Sequence, residues 1–133
     1  MSKDEYTGSS LLIFSSICLS IPGIIILLTK KNYRNIKLAG VAMIIVSISS
    51  IIYHSTGNLL AREIDEWIRN IFGTVFSLYA IVIDNLYPIM YGTISMLGYH
   101  RNCIGAGGRM ANINHALFVH LPVFLGFWSF LFF

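Results

Sequence analysis

Charged residues are bunched along this chain, and between the bunches lie four long stretches almost free of charge: Leu11 to Leu28, Leu38 to Tyr53, Ile71 to Tyr99 and Ala116 to Phe133. A hydrocarbon core ~30 Å thick is crossed by roughly 20 apolar residues in a helix, because no water is present there to satisfy free backbone amides. The pattern predicts an all-α, polytopic transmembrane bundle forming one membrane domain over residues 1–133, with spans at about 9–29, 38–54, 70–98 and 114–133. The third stretch, at 29 residues, is too long for one span and too short for two complete ones. Asp84-Asn85-Leu86-Tyr87-Pro88 in its middle either kinks one tilted helix, giving four spans, or turns between two half-spans, giving five.

Composition strengthens the membrane reading. The 133 residues are 56% hydrophobic and 11% charged, with a mean hydropathy of +0.72, against about a quarter charged in soluble domains. The net charge of +3 comes with no long basic run and no interleaved aromatic platform, so nucleic acid is not a partner on this reading. The segment MSKDEYTGSS carries acids where a secretory signal would have a basic start, and the first apolar stretch reads as a retained span. Pro22-Gly23 within it predicts a kink. Cys18 falls within a span and Cys103 in a loop, too far apart to bridge.

Lys30, Lys31, Arg34 and Lys37 form the densest positive cluster, and the positive-inside rule places the 30–37 loop on the cytoplasmic or equivalent side. With four spans the inner side also gains Arg101 and Arg109, leaving Lys3, Arg62 and Arg69 outside, six charges against three. The last helix then runs outward, and both termini lie on the outer side. Asp65-Glu66-Trp67 reads as a helix start with an interfacial aromatic.

Three features carry candidate chemistry. The first is Ser50-x3-His54, followed eleven residues later by Asp65 beside Glu66. Histidines can bind zinc with one coordination position open, and a carboxylate nearby can take a proton from the water that fills it. The pattern SSIIYHSTGNLLAREIDEW resembles the first signature of the alkaline ceramidase-like hydrolases, the CREST group of seven-span membrane enzymes, in the order S-x3-H, Thr, Asp-Glu. The resemblance covers about Ser9 to Tyr79, with the apolar hairpin and basic turn before the motif similar as well. It implies a lipid amide hydrolase in which His54, His115 and His120 ligate zinc while Ser50 and Asp65 hold the water.

Two observations weigh against that site. The family's second signature is H-x3-H, whereas His115 and His120 are five apart, which on an α-helix separates them by about 140°. Under four spans His54 lies at the outer end of span two and His115 at the inner start of span four, ~30 Å away. On the plainer reading His54, beside Tyr53, is an interfacial residue, and His115 and His120 edge the last span behind an Asn114 cap.

The second feature is Asp84, an acid at bilayer depth, which costs ~2.5–3.5 kcal/mol unless partnered or hydrated. The third is Cys103-Ile-Gly-Ala-Gly-Gly-Arg109, which lacks the residues of a phosphate loop and reads as a flexible connector. Small residues at Ser16-x3-Ser20 and Gly73-x3-Ser77 allow close helix packing, within the chain or against another protein.

The leading functional expectation is a non-enzymatic membrane subunit of a larger assembly, in an organellar complex or a viral internal membrane. Its partners would be the bilayer and other subunits or itself, with no cofactor. The alternative is the zinc-dependent lipid amide hydrolase, and the third an ion or proton conductor built around Asp84.

Overall fold

The computed structural model describes residues 9–29, 36–103 and 108–132. They form five helices: α1 (Ser10–Leu28), α2 (Ile36–Thr56), α3 (Leu59–Val82), α4 (Tyr87–Gly98) and α5 (Gly108–Phe132). The described residues contain no strand, so the all-α reading holds. α1, α2 and α5 are each long and apolar enough to cross a bilayer, with mean hydropathies of 2.6, 2.0 and 1.6, and the protein is membrane-integral.

Most of the basic cluster and the glycine-rich connector lie outside the described residues, as does the MSKDEYTG segment. Cys18 and Cys103 are both free thiols. α1 runs unbroken through Pro22. Beside that proline the backbones of α1 and α2 approach closely, and a Cβ built on Gly23 would sit 2.6 Å from the Gly40 carbonyl oxygen. Such an approach is open only to glycine, and Gly23→Leu is expected to destabilise the bundle by about 1–3 kcal/mol. A fall in the midpoint of thermal unfolding in detergent would register it; an unchanged midpoint would mean that the hairpin has slack.

The third apolar stretch doubles back. α3 starts far upstream of it, where the Asn58 side chain caps the helix by accepting from the Leu60 N–H at 2.9 Å. Asp65 and Glu66 are therefore in the second turn of α3 and do not begin it. The helix ends at Val82, and Asp84 takes a left-handed conformation, φ 57°, which Asp and Asn tolerate better than most residues. Asn85 then closes the turn: its Oδ1 accepts from the Tyr87 N–H at 3.1 Å and its Nδ2 donates to the Ser129 carbonyl at 3.2 Å. Pro88, in the first turn of α4, gives up an amide that had no intrahelical acceptor.

The chain thus passes between the two ends of the bundle five times, with consecutive helices antiparallel. Contacts of α4 with α5 run in reverse order, Gly98 against Phe118 and Tyr91 against Gly126, and Asn85 against Ser129. Between the ends, Leu19, Ile26, Met43, Val46, Phe76, Phe127 and Phe130 form a shared core. One end gathers the start of α1, the end of α2, the start of α3, the end of α4 and the start of α5. The other end holds the α3–α4 turn and the last residues of α5. Of the two layouts read from the sequence this is the doubled-back, five-pass one in place of the four-pass one: α5 starts beside the end of α2, and Phe132 lies at the end opposite Ser9. It also relocates Asp84, which is exposed in a turn at an end of the bundle and not midway along one helix.

Candidate metal centre

His54 occupies the last turn of α2, with its ring turned into the bundle beside Tyr53, 4.6 Å between centroids. It is 1% exposed, so it is not an interfacial residue facing headgroups. His115 and His120 come from α5 and are also buried. The ring centroids of His54 and His115 are 5.2 Å apart, those of His54 and His120 5.2 Å, and those of His115 and His120 4.8 Å. The three planes are steeply inclined, at 65–80° to one another. One nitrogen from each ring lies within 4.8 Å of the others.

The five-residue spacing of His115 and His120 is accommodated by a π-helical segment, Ala116–His120, in the middle of α5. The Leu121 N–H reaches back to the Ala116 carbonyl, five residues earlier. In such a turn residues five apart lie on one face, so the 140° of a regular helix does not arise. Pro122, just after the segment, has no N–H to offer the Phe118 carbonyl, so the widened turn forms where one α-helical bond is already missing. α4 braces the widened turn. The Ser95 hydroxyl donates to the Val119 carbonyl at 3.2 Å, and Gly98 lies so close that an added Cβ would be 2.8 Å from the Phe118 oxygen. Asn114 lies inside α5 and does not cap it; its Nδ2 donates to the Asn102 carbonyl at 2.8 Å.

Hydroxyls around the rings fix their surroundings. Ser15 Oγ lies 2.6 Å from His120 Nδ1 and 3.1 Å from the Leu12 carbonyl, to which it can donate its proton. If Ser15 donates there, its oxygen accepts from Nδ1–H and leaves His120 Nε2 with a free lone pair. Ser50 bonds Ser16 Oγ at 2.8 Å. Asp65 is held instead by Ser49, whose hydroxyl donates to Oδ1 at 2.7 Å. Sequence reasoning singled out Ser50 and passed over its neighbour. On a helix the two point about 100° apart, and it is Ser49 that faces α3.

Asp65 is buried in the second turn of α3. It shares with His115, Tyr53, Arg69 and Tyr99 a polar space of about 10 Å³, close to what one water needs. The three-imidazole donor set is one that zinc accepts with a fourth position left for water. At ~2.1 Å from a tetrahedral ion the nitrogens would be about 3.4 Å apart, so the rings would close slightly on binding. No family model, curated protein or solved structure matches the chain.

Proposed function

We propose that the protein is a membrane-embedded, zinc-dependent hydrolase of lipid amides, the activity implied by its resemblance to the alkaline ceramidase-like enzymes. The observation that carries this reading is the convergence of His54, His115 and His120 at one buried point beside Asp65. Both objections drawn from the sequence are met, the spacing by the π segment and the separation by the α3–α4 turn. Bound to three imidazoles, zinc supplies Lewis acidity to a carbonyl and acidifies a water. The chain's own groups do the rest. Asp65 takes a proton at its carboxylate from water in the space it shares with His115, and returns it to the departing amine. Ser49 holds that carboxylate in place, and Ser15 holds the His120 ring.

The test is turnover of an N-acyl amide by purified protein, with Asp65→Asn as the probing variant. Asn is isosteric and lies outside the proposed ligand set, so zinc should stay while the rate falls by roughly 10²–10⁴-fold. Wild-type protein that holds zinc yet cleaves no acyl amide or ester would defeat the reading.

A subunit role keeps one supporting observation. α3 buries only Asp65, Phe76 and Ala80, while Ile71, Val75, Leu78 and Val82 form an exposed apolar stripe suited to lipid or to another helix. Asp84, on which the conductor reading rests, lies exposed in the α3–α4 turn.

A further inference from the structure

Between α3 and α4 runs an open groove of about 810 Å³, floored by Phe76, Phe127 and Phe130. That volume lies within the range of sites for one small molecule. The groove owes its width to missing side chains: a Cβ added at Gly73 or Gly92 would meet nothing within 4 Å. From Arg69 to Leu78, both lining residues, the wall runs for nine helical steps, about 14 Å.

The polar mouth is asymmetric in charge. Arg69, Glu66 and Tyr99 line both the groove and the small space at Asp65 and His115, so the two are neighbours that share a wall. Glu66 is answered by Arg62, whose Nε lies 3.2 Å from its carboxylate. Arg69 is half-buried and, among the described residues, has no carboxylate within 4 Å; its charge acts at longer range on Asp65, one turn before it in α3. A guanidinium partly removed from water, at the head of an apolar channel, is complementary to an anion carried on a hydrocarbon chain.

We propose that the groove binds a single-chain N-acyl amide with an anionic head group, its chain between α3 and α4 and its negative charge on Arg69. As a statement of substrate class this rests on the hydrolase reading, but the binding itself needs no metal. The probes are N-hexadecanoylglycine and N-hexadecanoylethanolamine, which share chain and amide and differ in charge. Wild-type protein in detergent should bind the glycine conjugate roughly tenfold more tightly or better, the worth of a charge-assisted hydrogen bond. Arg69→Gln should erase that preference while still binding the neutral conjugate, which shows that the groove is intact. Arg69→Lys should keep most of it. His54→Ala, deprived of metal, should keep it too, so failure of zinc chemistry and failure of Arg69 recognition are read separately. Equal binding of both conjugates by wild type, or a preference that survives Arg69→Gln, overturns the proposal. Displacement of the glycine conjugate by an equal concentration of dioleoylphosphatidylglycerol would also overturn it, by assigning the groove to bilayer phospholipid.

Discussion

Alanine at His54, His115 or His120 is expected to abolish zinc binding. Wild-type protein purified in detergent should carry about one zinc per chain by elemental mass spectrometry, and each variant close to none, because two imidazoles without the third do not form a site of this class. All three substitutions should act alike, since the rings surround one point from two helices. Ser15→Ala supplies a graded control. It removes the hydroxyl 2.6 Å from His120 Nδ1 and leaves the ligands in place, so affinity should fall by roughly 10–100-fold without vanishing. Wild-type protein without stoichiometric zinc, or an alanine variant that retains it, would reduce the three histidines to a buried structural cluster. Activity is the second readout, and it should disappear in step with the metal.

Deleting Leu117 should leave the metal site standing, whereas inserting one alanine beside it should destroy the site. Leu117 lies in the π segment, half exposed, and the deletion brings His115 and His120 to a spacing of four. Four residues on a regular helix leave about 40° between the rings, so the pair still converges and the flanking halves of α5 keep their facing. The insertion makes the spacing six, about 240° on a regular helix, and turns one ring away. Gly98→Leu tests the same segment from outside. Its side chain would have to occupy the place of the Phe118 backbone, 2.8 Å from the glycine's Cβ position, and displace the turn that carries His120. Loss of about 1–3 kcal/mol of stability together with loss of zinc is the expected outcome. A deletion variant that binds no zinc, or an insertion variant that does, would show that the π segment is incidental to the site.

The parts of this architecture that were legible in the sequence are those written in long uniform runs. Eighteen or more apolar residues leave a chain few alternatives to a spanning helix, and α1 and α2 emerge within two residues of their expected limits. The third stretch misled because its turn is made by only a few residues inside an otherwise unbroken apolar run. The signals were present, Asp84 for the left-handed position and Asn85 to bond across the turn, with Pro88 opening α4. A charge count over short loops outweighed them. The same error separated His54 from His115, since one missed reversal flips every later element end for end. The spacing objection failed for a different reason: periodicity arguments assume an α-helix, and the segment between the histidines is a π turn. Ser49 was not legible at all, because a serine next to a serine gives no sign of which one faces the carboxylate.

An odd number of passes also gives the molecule polarity. Ser9 lies at the histidine end and Phe132 at the other, so a tether attached after Phe132 would pull from the side opposite the chemistry. A reporter fused there would sit at the end of the bundle farther from the histidines.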